Sequence, residues 1–88
     1  MKTLTLIIFL FTAVFTLDAQ TIKENFEAGK KAFFSDNFEE AYKKFNPILQ
    51  SEAEDYETSF YKGLVYEIYF DFDKAISMLT NAILSRPE

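Results

Sequence analysis

The chain has 88 residues, with nine Lys plus Arg, fourteen Asp plus Glu, and neither Cys nor His. That length allows one small domain at most. The missing residue types exclude a structural zinc site, a disulfide framework, a thiol nucleophile and a His general base. A net charge of −5 argues against nucleic acid as a partner, because a phosphate-backbone binder needs a basic stripe.

The N-terminus differs from the rest. Lys2 is the only charge before Asp18, and Thr3 to Leu17 is an uncharged run rich in Leu, Ile and Phe. A spanning helix takes about twenty apolar residues; this run is shorter and is interrupted by Thr3, Thr5, Thr12 and Thr16. A basic start, a short apolar stretch and a small residue at the cut describe a secretory signal peptide over residues 1–19. Ala19 is the natural last residue of the signal, leaving Gln20 as the new N-terminus, although Leu17 is larger than the small residue preferred at its place. The alternatives are an uncleaved anchor or a buried first helix. The Ala-Gln junction looks like those of many exported Gram-negative proteins, which implies a periplasmic, outer-membrane-associated or secreted product with no stable membrane span. An exported chain without Cys takes nothing from disulfides.

Beyond the signal the chain repeats at an offset of 34. Phe26, Gly29, Phe38 and Ala41 recur as Phe60, Gly63, Phe72 and Ala75, and Ser51 and Glu54 recur as Ser85 and Glu88. Chemistry is kept around them: Asn37 with Asp71, Glu39 with Asp73, Phe45 with Leu79, Leu49 with Ile83. A fixed period in the range of about 20–50 residues marks stacked supersecondary units. Each unit reads as two helices, so the expected class is all-α with helices near 22–35, 38–50, 55–69 and 72–85. Ile22 to Phe34 and Tyr56 to Tyr69 supply the first helices, each with one internal Gly, which costs about 1 kcal/mol against Ala. That cost is tolerable if a neighbouring helix approaches closely there, with Ala41 and Ala75 as the small residues across the contact. Phe38, Ala41, Tyr42, Phe45 and Leu49 have helical spacing, as do Phe72, Ala75, Ile76, Leu79 and Ile83. Asn37 and Asp71 stand ready to cap these second helices, and Glu40 three residues after Asn37 fits a capping box. Pro47 predicts an early end or kink near Asn46.

These residues resemble the tetratricopeptide repeat, whose pattern runs W-x2-L-G-x2-Y, then A-x3-F, then P. Gly63-x2-Tyr66, Ala75-x3-Leu79 and Pro87 match in unit two, and Gly29 and Ala41-x3-Phe45 in unit one; Phe38 and Phe72 precede the second-helix Ala in both. Asn25 and Ser59 stand where Trp is common, Ala32 replaces a Tyr and Ala53 a Pro. The resemblance implies repeat one over 22–54 and repeat two over 55–88, and a concave groove built by the first helices. Its usual groove positions fall on Lys23, Phe26, Lys30, Phe33 and Phe34, and on Glu57, Phe60, Leu64, Glu67 and Ile68. It implies a protein or peptide partner, an amphipathic helix or extended segment docked by aromatic anchors. Phe26 and Lys30 replace the Lys and Asn with which one subgroup of the family clamps a C-terminal carboxylate, so that clamp is not expected.

No cofactor or metal is implied. The carboxylates Asp36, Glu39, Glu40, Glu52, Glu54, Asp55, Glu57, Asp71 and Asp73 cluster at helix starts, where the helix dipole favours them. The expected function is therefore a non-enzymatic scaffold or adaptor of the bacterial cell envelope. A small exported hydrolase using paired carboxylates is the competing expectation. Two repeats are fewer than the three or so a stack needs. The last helix is thus expected to expose Ile76, Leu79 and Ile83, first of all to further repeats of a longer protein of which this is the N-terminal part, and otherwise to a second copy or to a partner.

Overall fold

The computed structural model describes residues 16–86, and among them it contains four helices and no strand. These are α1 (Ala19–Phe34), α2 (Phe38–Gln50), α3 (Tyr56–Ile68) and α4 (Phe72–Ser85). The expected helices are present, the last three to within a residue or so at each end. None of the described helices is long and apolar enough to cross a membrane. Most of the expected signal peptide, and Pro87 of the repeat signature, lie outside the described residues.

α1 begins three residues earlier than the apolar period indicates. Asp18 sets its start: the side chain accepts a hydrogen bond from the Thr21 N–H at 2.8 Å. That bond holds the Asp18 carboxyl below its ordinary pKa, as expected for an anion on orphan helix donors. Leu17, just before the cap, packs against the core. Asn37 and Asp71 cap α2 and α4 through the N–H groups of Glu40 and Lys74, each at 3.4 Å. The capping box is half made. The Glu40 carboxylate turns forward to Lys44 at 3.9 Å, because the Asn37 N–H is already donated to the Ala32 carbonyl.

The two turns inside the units are copies of one another. The Asn37 N–H reaches the Ala32 carbonyl and the Asp71 N–H the Tyr66 carbonyl, both at 2.9 Å. One residue earlier, Asp36 donates to Phe33 at 3.1 Å and Phe70 to Glu67 at 3.0 Å. This pairing is the Schellman ending of a helix, with a left-handed residue at its centre. Asp36 and Phe70 hold that place, with φ of 65° and 62°. Asp tolerates the left-handed region through its short polar side chain, whereas a bulky Phe is strained there. The offset read in the sequence is thus also an offset in backbone conformation.

Within each unit the helices meet at the internal glycine. A Cβ on Gly29 would lie 2.5 Å from a Phe45 ring carbon, and one on Gly63 would lie 2.6 Å from Leu79 Cγ. The expected close approach is there, but its partner is corrected. The long side chains Phe45 and Leu79 fill the notches, while Ala41 and Ala75 are simply buried. A notch left by a missing Cβ is filled by the side chain lying over it, and here that is the residue one turn beyond the Ala.

α3 packs on both α1 and α2, whereas α4 contacts α3 alone among these helices. The core therefore sits between the first three: Ile22, Phe26, Ala41, Phe45, Ile48 and Val65. The Phe26 ring lies 6.0 Å from Phe45 and 5.3 Å from Tyr61, and Phe45 meets Tyr69 edge-on at 5.7 Å. Such pairs add to plain area burial. Pro47 does not end α2, which runs on to Gln50. Phe45 and Ile48, both fully buried, anchor the backbone on either side of the lost hydrogen bond. Unit two has no Pro at the matching place. It has Asn81, whose amide donates to the buried Ser59 hydroxyl at 2.6 Å and ties α4 to α3.

Candidate interaction surfaces

The expected groove residues divide among three environments. Lys23, Phe34 and Glu67 are exposed. Phe33, Leu64 and Ile68 are half-buried and pack against the core, so each offers only an edge. Lys30 is held in place: its ammonium lies 3.5 Å from the Glu27 carboxylate and 5.5 Å from the centre of the Phe26 ring. The ion pair is solvated and contributes roughly 0–1 kcal/mol. Glu57 is half-buried on the first turn of α3.

Two groove assignments are corrected. Phe26 is 5 % exposed and belongs to the core. Phe60 lines a cleft between α3 and α4. The two hold equivalent places, and that place faces the side on which the next helix stacks. A fraction of a turn about the helix axis moves a residue from the open face to the stacking flank, and repeat spacing alone does not determine that rotation.

The cleft at Phe60 has a volume of about 300 Å³ and is lined by Tyr56, Phe60, Leu79, Ala82, Ile83 and Arg86. The Tyr56 and Phe60 rings stack with centroids 6.0 Å apart. Of the three residues expected to be left bare on the last helix, Ile76 and Ile83 are exposed, at 65 % and 69 %. Leu79 is half-buried because it fills the Gly63 notch. Leu84, also exposed, was not anticipated. A second, more polar cleft of about 490 Å³ lies across α4, with Glu54, Ser59, Lys62 and Asn81 among its walls.

Three exposed aromatics, Phe38, Phe70 and Phe72, lie outside the expected groove and join Phe34, which belongs to it. Phe34, Phe38, Phe70 and Phe72 bracket the two copied turns and are all exposed. The turns share one end of the stack, since the Phe33 and Tyr69 rings, at the ends of α1 and α3, lie 6.3 Å apart. The signal was present in the sequence, because Phe38 and Phe72 are repeat partners. In sequence the pair has the form of a packing signature, since an aromatic at helical spacing usually faces a core.

Four of the carboxylates are engaged locally in caps or ion pairs. Asp18 and Asp71 cap helices, and Glu27, Glu40 and Asp71 pair with Lys30, Lys44 and Lys74. Burial raises the Tyr69 hydroxyl above its ordinary pKa, with a smaller contribution from Tyr42. No group of three or more acidic residues able to hold a metal ion occurs among the described residues. Compared with known proteins, the chain matches no family model, no curated protein and no solved structure.

Proposed function

We propose that this chain is a protein-interaction module of the tetratricopeptide kind, a non-catalytic scaffold or adaptor exported to the bacterial cell envelope. The observation that carries the reading is the division of labour among side chains. Asp18 and Asp71 are taken up in caps and Glu27, Glu40 and Asp71 in local ion pairs, while large apolar side chains stand in solvent on both units. Exposed apolar surface of that extent marks a contact surface for another macromolecule.

The groove between α1 and α3 would grip a peptide or a helix. Phe34 and the exposed edges of Leu64 and Ile68 form its apolar strip, Lys23 and Lys30 lie on α1, and Glu67 lies on α3. An asymmetric rim of this sort sets the orientation of a bound peptide more than its affinity. The carboxylate-hydrolase alternative is less well supported, because it needs two carboxyl groups turned to one substrate, and two of its candidates, Glu40 and Asp71, are engaged with Lys44 and Lys74 on their own helices.

The test is site-directed photo-crosslinking of the exported protein, expressed from the full chain, in intact cells. A photoreactive side chain at Phe34 or Glu67 should give one discrete crosslinked protein, and the same group at Lys43 should give none. Adducts equally strong at all three positions, or absent from all three, would refute the groove.

A further inference from the structure

The end cleft of unit two is a second site, separate from the groove between α1 and α3, and its repeat symmetry identifies what it takes. Five of its lining residues, Tyr56, Phe60, Leu79, Ala82 and Ile83, are the 34-residue counterparts of Ile22, Phe26, Phe45, Ile48 and Leu49. In unit one those five either form the core or pack against it. What covers them there is α3, which supplies Val65 to the cluster and packs Tyr61, Leu64 and Ile68 against it. These four sit at i, i+3, i+4 and i+7, the spacing of an amphipathic helix laid in a groove. In unit two no helix of the described residues lies over the equivalent surface, and α4 touches α3 alone.

We infer that the α3–α4 cleft is a helix-acceptor site, and that its occupant is an amphipathic protein helix with the register of α3 and a larger central residue. The occupant follows from the continuity of the interface: the surface that receives α3 is repeated, so the helix it receives repeats α3's apolar pattern. The preference for bulk follows from the floor. Leu79 stands where unit one has Phe45 and Ala82 where it has Ile48, so the α4 side of the 300 Å³ cleft carries less side-chain bulk than its counterpart. Filling it with Leu in place of Val at the position of Val65 adds buried apolar surface, whereas an unfilled gap forfeits those contacts. At the rim, Arg86 stands near the place where unit one has Glu52, which favours an acidic residue on the incoming helix.

The probe is a fluorescent synthetic peptide of residues 54–71 carrying Gly63→Ala, since no partner fills the notch in the isolated helix and Ala strengthens it. A second peptide adds Val65→Leu. Both are titrated into the full chain by fluorescence anisotropy. Both should bind, the Leu peptide more tightly by about threefold to tenfold, in line with one extra methylene. Ile83→Glu in the chain should weaken both by about tenfold or more, by placing a charge on the apolar wall. Ile76→Glu, also on α4 but off the cleft, should leave both unchanged. Ala82→Ile restores the unit-one floor and should abolish the Leu peptide's advantage while the Val peptide still binds. Circular dichroism of each variant checks that the helices are intact. The inference is overturned if neither peptide binds, if Ile76→Glu and Ile83→Glu act alike, or if Ala82→Ile leaves the Leu preference unchanged. A chain that is dimeric by sedimentation, and monomeric only as Ile83→Glu, would also overturn it, because a second copy would then be the occupant. Loss of crosslinking at Phe34 bears only on the groove, so the two readings fail separately.

Discussion

Replacing Gly29 with Ala sets two effects of known size against each other. In a helix interior Ala is favoured over Gly by about 1 kcal/mol. The added Cβ would sit 2.5, 2.7 and 3.1 Å from three Phe45 ring carbons, where carbon atoms prefer about 3.5–4.0 Å. The ring would therefore have to retreat by roughly 1 Å, and it has nowhere to go. Phe45 is fully buried, with Phe26 and Tyr69 against it at 6.0 and 5.7 Å. Overpacking of a closed site costs about 1–3 kcal/mol, so the clash wins and Gly29→Ala destabilises by about 1 kcal/mol net. In a domain of this size that lowers Tm by about 4–8 °C. Gly63→Ala is the internal comparison. Its Cβ would meet Leu79 Cγ at 2.6 Å, but Leu79 is half-buried and borders an open cleft, so it can swing away and the loss is smaller. Urea denaturation of the full chain followed by circular dichroism reads both. Combining Gly29→Ala with Phe45→Leu, which imports the unit-two partner, should cost less than the sum of the single changes. A Gly29→Ala chain at least as stable as the parent would refute the notch argument, because helix propensity would then have decided the outcome.

Two further substitutions probe local strain and local satisfaction. Phe70 holds a left-handed φ of 62° while 76 % exposed, so Phe70→Gly should raise stability by about 1 kcal/mol and raise Tm; a fall in Tm would show that its edge contact with Phe72 outweighs the strain. The Thr58 hydroxyl is fully buried without a hydrogen-bonding partner, so Thr58→Val should be neutral or stabilising by up to about 1 kcal/mol. A clear loss in the urea midpoint would show that the hydroxyl is satisfied.

Helix positions were legible because their signals are local. Asn37 and Asp71 stand before apolar runs of helical period, and the 34-residue offset gave the second unit's boundaries once the first was read. Capping and periodicity act over a few residues, so the residues that decide them are neighbours in the chain. The apolar period starts α1 late, at Ile22, because Asp18 lies inside the segment with the pattern of a signal, although the cap it supplies is as local as the others. The identity of the notch fillers, the burial of Phe26 and the turn of Phe60 into the end cleft were decided only by tertiary structure. So was the passage of α2 through Pro47, where fully buried side chains on both sides outweigh a lost backbone bond. Each depends on how far a helix is rotated about its axis and on which neighbour stacks on it. That is settled by side chains from different helices competing for the same space, and a chain of residue types carries no record of that competition. The same physics explains why Phe26 and Phe60, alike in sequence and alike in their units, differ in exposure: α3 covers one of them, and no described helix covers the other.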